Sequence, residues 1–157
     1  MKMIHCKKTI PALLTALALT CLCSVTADAG RGDTPQASTI VGFWHVQYSG
    51  DLVFESFDQW HRDGLEYEVA NLFGVSCQGV WKSAANGTVQ LFHSGWLFDA
   101  TGALVGYFNE TQINTVSHDG QTYHGTWHEK DYDVDGNFLS EETGTLTATR
   151  LTVNTPP

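Results

Sequence analysis

Apolar and polar residues alternate along most of the chain after residue 39, in segments of roughly 8 to 15 residues rich in Val, Thr, Tyr, Phe and Trp. Glycine-containing pairs that favour tight hairpin turns separate these segments: Gly50-Asp51, Asp63-Gly64, Asn86-Gly87, Thr101-Gly102, Asp119-Gly120 and Asp135-Gly136. The pattern predicts strands at residues 39–49, 52–62, 65–71, 76–84, 88–98, 103–117, 121–132 and 138–152. Consecutive hairpins of about this number predict an all-β, eight-stranded antiparallel up-and-down barrel.

Counting residues across the predicted turns assigns one face of the fourth to seventh strands to the barrel interior. If Asn86-Gly87 is a two-residue turn, Trp81 lies opposite Phe92, and the Asp119-Gly120 turn places Glu110 opposite Glu129. A one-residue bulge would invert part of this assignment. The predicted interior mixes large aromatic residues with glycines, as barrel interiors do: Cys77, Gly79, Trp81, Phe92, Ser94, Trp96, Phe98, Leu104, Gly106, Phe108, Glu110, Gln112, Tyr123, Gly125, Trp127 and Glu129.

The first two hairpins allow either face to point inward. The same counting makes His61 and Glu66 cross-strand partners beside the Asp63-Gly64 turn. One face then carries Glu55, Gln59, His61, Glu66 and Glu68, and the other carries Trp60, Tyr67 and Val69. Because burial of so many carboxylates is costly, we predict that the aromatic face points inward, with a bulge correcting the register.

The N-terminal region has the three parts of a secretory signal peptide. Lys2, Lys7 and Lys8 form a basic start, a short apolar run follows, and Ala27-Asp28-Ala29 fits a cleavage site. We predict a signal peptide at residues 1–29, a disordered tail at 30–38 and a barrel domain at 39–153, with export to the periplasm or the cell exterior. Cleavage leaves Cys77 as the single cysteine, so the domain has no internal disulfide.

The charge of the chain is strongly negative. The net charge is −9, and cleavage after residue 29 makes it −11, because three basic residues and one acidic residue leave. Nucleic-acid binding requires cations that neutralise phosphates, and no basic patch supplies them. No other apolar stretch is long enough to insert into a membrane. We therefore predict neither a nucleic-acid partner nor membrane insertion after signal cleavage.

The first predicted strand contains Gly42-Phe43-Trp44, and the last contains Arg150. This pair resembles the calycin superfamily, which includes lipocalins and fatty-acid-binding proteins. The resemblance implies a lipocalin-like or allene-oxide-cyclase-like barrel in which Trp44 lies at the closed end and Arg150 packs over it. A guanidinium above an indole adds a cation–π interaction of about 0.5–2 kcal/mol to the apolar contact. Lipocalins also have a long first loop and a helix after the barrel, which this sequence lacks.

Aromatic side chains on the predicted interior face favour a small-molecule pocket. The alternative is that these rings fill the barrel completely. Glu110 and Glu129 would be polar anchors for a ligand. The predicted ligand-binding residues are Trp81, Phe92, Trp96, Phe108, Gln112, Tyr123 and Trp127.

Two pairs could support acid–base chemistry. Glu110 and Glu129 face each other in the predicted interior, and two adjacent carboxyls cannot both ionise easily, so one would keep its proton. His61 and Glu66 form the second pair, in which a carboxylate would orient an imidazole. Both pairs have a simpler interpretation, as solvated or surface ion pairs.

The sequence gives weaker support for a metal site than for the two acid–base pairs. His124 and His128 are four residues apart, which on a strand separates them by about 13 Å. Residues 131–142 resemble an EF-hand loop, with acidic residues at several ligand positions, but their flanks are predicted strands. An acidic hairpin turn explains the same residues, so calcium binding there stays open. We predict no cofactor and no metal site.

These patterns favour an exported lipocalin-like protein that binds a small hydrophobic or amphipathic molecule inside its barrel. The first alternative is a cofactor-free isomerase, cyclase or dehydratase that uses the barrel carboxyls or a histidine as general acid and base. The second alternative is a filled barrel that acts as an interaction module.

Overall fold

The computed structural model describes residues 39–155, which form a closed antiparallel barrel of eight strands. Each strand pairs with the next, and the last pairs with the first. The strands are β1 (Gly42–Gly50), β2 (Phe54–Trp60), β3 (Leu65–Ala70), β4 (Ser76–Ser83), β5 (Thr88–Phe98), β6 (Leu104–Val116), β7 (Thr122–Asp133) and β8 (Phe138–Leu151). The predicted fold class is confirmed. The predicted signal peptide and the tail at 30–38 lie outside the described residues.

The described part of the chain contains one short 3-10 turn, Ala85–Gly87, between β4 and β5. Within residues 39–155, no helix has the length and apolar character needed to cross a membrane.

The turn between β4 and β5 differs from the prediction. The Ala84 amide donates to the Thr88 carbonyl at 2.8 Å, so three residues rather than two form the turn. Gly87 supplies the positive φ of 74° that such a turn requires. Trp81 therefore pairs with Leu91 rather than with Phe92, and every side chain of β5 changes face.

This shift corrects the predicted interior of β5. Phe92 and Trp96, predicted as ligand-binding residues of the interior, lie on the outer surface with 45% and 59% of their area exposed. Ser94 and Phe98 share that outer face, and Leu104 on β6 is also exposed. The inward side chains of β5 are instead Val89, Leu91, His93 and Leu97, and Gly95 lies between the last two.

A β-bulge between Leu97 and Phe98 shifts the β5–β6 register by one residue and cancels the first error. His93 consequently pairs with Glu110. Beyond this point the predicted interior is correct: Phe108, Glu110, Gln112, Tyr123 and Trp127 are buried. Glu110 pairs with Glu129, as the Asp119-Gly120 turn predicts.

The hairpin between β2 and β3 also has a three-residue turn. The His61 amide donates to the Leu65 carbonyl at 2.9 Å, and Trp60 pairs with Glu66. Trp60 points inward as predicted, but Tyr67 and Val69 point outward. The predicted exclusion of the carboxylates is wrong, because the inward face carries Ser56, Asp58, Trp60, Glu66, Glu68 and Ala70. His61 lies on the outer surface, so the predicted partnership between His61 and Glu66 does not form.

One end of the barrel is closed by aromatic residues. Trp44 is fully buried, its indole Nε1 donates to the Ile40 carbonyl at 2.7 Å, and its ring lies 4.8 Å from that of Tyr123. The Arg150 guanidinium lies 4.1 Å above the Trp44 ring and donates to the carbonyls of Val41, Thr39 and Gly120. The expected contact between Trp44 and Arg150 is therefore present.

Candidate functional site

The interior of the barrel contains an unusual concentration of carboxyl groups. Asp58 on β2, Glu66 and Glu68 on β3, and Glu110 on β6 each expose 2% of their area or less. They point inward because each occupies a position of the inward-facing alternation of its strand. A fifth carboxyl, Glu129 on β7, is half-buried beside Glu110. We name these five residues and His93 the acidic cluster.

His93 lies among three of these carboxyls. Its Nδ1 atom is 3.3 Å from Glu66 Oε2 and 3.5 Å from Glu68 Oε2, and its Nε2 atom is 3.3 Å from Glu110 Oε1. Burial by itself would lower the pKa of His93, but the adjacent carboxylates, Glu110 foremost, outweigh burial and raise the pKa well above its ordinary value. The adjacent carboxylates therefore favour the cationic form of the imidazole.

Gly79 makes the contact between Glu66 and His93 possible. It lies between them in the sheet, pairing with Glu66 on one side and His93 on the other. A Cβ atom at this position would lie 2.6 Å from His93 Cβ and 2.8 Å from Glu66 Oε2. Only a glycine leaves both side chains where they are.

Three carboxyls of the cluster, those of Asp58, Glu68 and Glu129, have pKa values raised above the ordinary range. Burial raises the pKa of Asp58 well above its ordinary value, and nearby Glu68 and Glu66 raise it further. Burial also raises the pKa of Glu68 to about 7. At Glu129, burial and the neighbouring Glu110 raise the pKa to about 8. Near neutral pH the cluster therefore holds protons as well as charge.

Neutral side chains hydrogen-bond part of the cluster. Tyr123 Oη donates to Asp58 Oδ2 at 2.9 Å, and Ser56 Oγ donates to Asp58 Oδ1 at 2.8 Å. Gln112 Nε2 donates to Glu110 Oε1 at 2.7 Å and to Tyr48 Oη at 2.8 Å. These bonds fix the orientation of two carboxyls, which is what a binding or catalytic group requires.

Two carboxyl oxygens of the cluster have no such partner. Glu66 Oε1 and Glu68 Oε1 are buried without a hydrogen bond from any described residue. A buried, unsatisfied polar atom costs about 1–3 kcal/mol, and more if it is charged. The cluster is therefore incomplete without a further proton, water molecule, ion or ligand.

A small cavity opens at the barrel end opposite Trp44. Its volume is about 50 Å³, which holds a few water molecules and is far below the several hundred Å³ typical of drug-sized ligand sites. Carboxyls of Glu68, Glu110 and Glu129 form its polar part. Its remaining lining is mostly apolar: Leu52, Phe54, Ala70, Leu72, Val75, Cys77, Leu97 and Phe108. We call this region the acidic end.

The structure places the predicted ligand-binding residues in three regions: the cavity, the aromatic core and the outer surface. Phe108 lines the cavity, and Gln112 contacts Glu110. Tyr123 packs in the core against Trp44 and Trp60, and Trp81 packs against Trp60. Trp127 also belongs to that core. Phe92 and Trp96 instead border two grooves on the outer surface of β4, β5 and β6, of about 490 and 600 Å³.

The other predicted chemical residues lie mostly on the barrel surface, although Glu142, at the end of the EF-hand-like segment, pairs with Glu129 of the cluster. His128 contacts Glu141 on the barrel surface at 3.2 Å. Within the EF-hand-like segment, Asp133 accepts hydrogen bonds from the Asp135 and Asn137 amides and from Asn137 Nδ2. These bonds are the ones that an acidic hairpin turn requires.

Sequence reasoning missed Asp58, Glu68 and His93 as functional candidates. The predicted two-residue turn between β4 and β5 places His93 on the outer face, whereas the observed turn has three residues and turns His93 inward. The signal that could have found it is Gly87, since glycine also suits the last position of a three-residue turn.

No protein-family model, curated protein or solved structure matches this chain. The described residues form a closed eight-stranded barrel with one aromatic end and one acidic end. Function has to be inferred from the site.

Proposed function

We propose that the protein binds a small amphipathic molecule at the acidic end of the barrel. The observation that carries this proposal is the cavity itself, whose walls are apolar and whose polar part consists of three glutamates. Apolar walls with a few oriented polar groups are the usual composition of a small-molecule site.

The chemistry of the polar part indicates which ligand would bind. Ionised carboxylates only accept hydrogen bonds, so they favour a ligand that donates them. A cationic donor would also offset the negative charge of Glu110 and the neighbouring carboxyls. We therefore propose a small amine, with its alkyl part against Leu52, Phe54 and Leu97 and its ammonium group toward Glu110 and Glu129.

Calorimetric titration with n-butylamine, n-butanol and butyrate at pH 9, where Glu129 is ionised and the amine is still mostly an ammonium ion, tests this proposal. We expect the amine to bind most tightly and butyrate most weakly, because butyrate would place a second anion beside the glutamates. Glu129→Gln should weaken amine binding about tenfold, the effect of roughly 1.4 kcal/mol. Glu141→Gln is the matched control, since Glu141 is exposed on the outer surface.

Two results would contradict the proposal. The first is equal binding of amine and butyrate, or no binding of any of the three probes. The second is an equal loss in Glu129→Gln and Glu141→Gln, which would place the ligand elsewhere.

Acid–base catalysis is a second candidate, supported by the pairing of Glu110 with Glu129 at the cavity. Acetone in D₂O is a small probe for such a pair, because exchange of its methyl protons requires a base and is helped by an acid. We expect the wild-type protein to exchange the methyl protons of acetone faster than the Glu129→Gln variant does. Equal rates with the wild type and the variant would contradict catalysis by this pair.

Export and a calycin relationship remain proposals. The signal-like residues 1–29 support export, and N-terminal sequencing of protein recovered outside the cytoplasm should begin at Gly30. A chain that begins at Met1 would contradict it. The contact of Arg150 with Trp44 supports the calycin proposal.

A further inference from the structure

We propose that Glu68, Cys77 and His93 bind one divalent transition-metal ion of the zinc type inside the barrel. Their ligand atoms all lie within 4.8 Å of one another, and all three residues are buried. Thiolate, imidazole and carboxylate are the ligands that zinc combines in proteins. This site shares Glu68 and Cys77 with the cavity of the proposed amine site, but its tests depend on Cys77 and His93 and not on Glu129, so either proposal can fail without the other.

The sheet brings these residues together. Glu68 pairs directly with Cys77 across β3 and β4, and both line the cavity. His93 follows on β5, with its Nδ1 atom 3.5 Å from Glu68 Oε2. Tetrahedral zinc with bonds of about 2.0–2.3 Å sets its ligand atoms roughly 3.3–3.8 Å apart. Small side-chain rotations are therefore enough to close the site.

An unsatisfied atom points to a missing cation. Glu68 Oε1 is buried without a hydrogen-bond partner among the described residues. Glu66 lies on the same side of the imidazole, and its Oε1 atom is also buried without a hydrogen-bond partner among the described residues. A metal ion bound to the Glu68 carboxylate would satisfy the first of these oxygens.

The opposite side of the imidazole supports the same arrangement. Glu110 Oε1 lies 3.3 Å from His93 Nε2, while Glu66 and Glu68 lie on the Nδ1 side. A metal-bound histidine commonly donates its other ring N–H to a carboxylate, which fixes the tautomer and the ring orientation. Glu110 would be that acceptor when Nδ1 binds the metal.

Charge balance favours a cation at this position. In the ion pairs of the described residues, Glu66, Glu68 and Glu110 share a single basic partner, His93. Metal binding displaces two protons, one from the Cys77 thiol and one from Nδ1 of the His93 imidazolium, and both leave to solvent as the metal–sulfur and metal–nitrogen bonds form. Because Cys77 and Glu68 line the cavity, the fourth coordination position faces that space and suits a water molecule.

Cobalt provides a direct test, because Co²⁺ occupies zinc sites and reports thiolate ligation by its absorption. The full-length chain, with Cys6, Cys21 and Cys23 changed to serine, has Cys77 as its only thiol. After removal of bound metal with a chelator, we expect one equivalent of Co²⁺ to produce a thiolate-to-cobalt charge-transfer band and tetrahedral d–d bands. Addition of Zn²⁺ should abolish both.

Matched variants assign the ligands. Cys77→Ser should remove the charge-transfer band, and His93→Gln should weaken Co²⁺ binding at least tenfold, whereas His124→Gln, an exposed histidine, should change neither. Circular dichroism of each metal-free variant checks that it folds.

A second measurement does not require a variant that folds. Zn²⁺ should slow alkylation of Cys77 in the native chain at least tenfold, because a coordinated thiolate is protected. Alkylation at the same rate with and without Zn²⁺ would overturn the proposal. A cobalt spectrum without a thiolate band would also overturn it, since it would place the metal on carboxylates such as those of Asp58, Glu66 and Glu68.

Discussion

The two ends of the barrel are built from the same strands but differ in chemistry. At the closed end, Trp44 donates to Ile40, and Arg150 covers its ring while donating to three carbonyls. At the acidic end, Glu68 keeps an unpartnered oxygen beside a cavity. At the closed end the polar groups of Trp44 and Arg150 are hydrogen-bonded, although Trp60 Nε1 is buried without a partner among the described residues, and the buried aromatic area contributes stability. The buried, unpartnered carboxyl oxygen at the acidic end costs folding free energy, and such local costs are typical of functional sites.

The largest expected effect concerns the closed end. Trp44→Ala should destabilise the protein by about 3–5 kcal/mol, because it removes a fully buried indole and leaves a cavity. Trp96→Ala is the matched control, since that indole is 59% exposed, and it should change stability by no more than about 0.5 kcal/mol. Urea denaturation measures both. Similar losses in the two variants would break the distinction between the ends.

The next effect concerns the charged cover of the same end. Arg150→Leu keeps apolar contact with Trp44 but removes the hydrogen bonds to Thr39, Val41 and Gly120. We expect a loss of about 2 kcal/mol, the value of one or two charge-assisted bonds at a partly exposed site. Arg62→Leu, at an exposed position, provides the control in the same denaturation experiment. If Arg150→Leu leaves the free energy of unfolding unchanged, the contact between Arg150 and Trp44 does not stabilise the protein.

The smallest effect is a pH dependence at the acidic end. Burial raises the pKa of Glu129 to about 8, so the folded state holds a proton that the unfolded state releases nearer the ordinary value. Stability from this group is complete at low pH and is lost as the pH rises through about 8. The neighbours that set this shift are Glu110, Asp131, Glu142 and, in the opposite direction, His93.

Thermal denaturation of chelator-treated protein between pH 5 and pH 9 measures this effect. We expect the melting temperature to fall as the pH rises, and Glu129→Gln to be more stable than wild type by about 1 kcal/mol above pH 8. Glu141→Gln should follow the wild-type curve. A wild-type melting temperature that rises over this range would contradict the assignment.

The sequence predicts the architecture well because strand alternation and turn residues are local signals. The Asp119-Gly120 turn fixes the β6–β7 register, and with it the pairing of Glu110 and Glu129. The Asp63-Gly64 and Asn86-Gly87 turns are ambiguous, because glycine suits both a two-residue turn and the last position of a three-residue turn. Gly64 takes the latter role here, with φ of 91°. A turn that is one residue longer exchanges the inward and outward faces of the whole strand that follows it.

The acidic cluster could not be predicted for a second reason. The cost of carboxylate burial argued against placing Glu66 and Glu68 inside, but that cost assumes isolated groups. In the folded barrel, His93 contacts both of them, and Tyr123 donates to Asp58. A two-residue turn before β5 places His93 on the outer face, where its charge cannot compensate the burial of Glu66 and Glu68.

The most direct test of the acidic end as the binding site is a two-dimensional amide NMR titration with n-butylammonium at neutral pH. We expect saturable shifts at Ala70, Leu97 and Glu110, which line the cavity, and no shift at Trp44 in the closed end. Shifts confined to Trp44 or to the outer surface around Trp96, or no saturable shift at all, would contradict the proposed site.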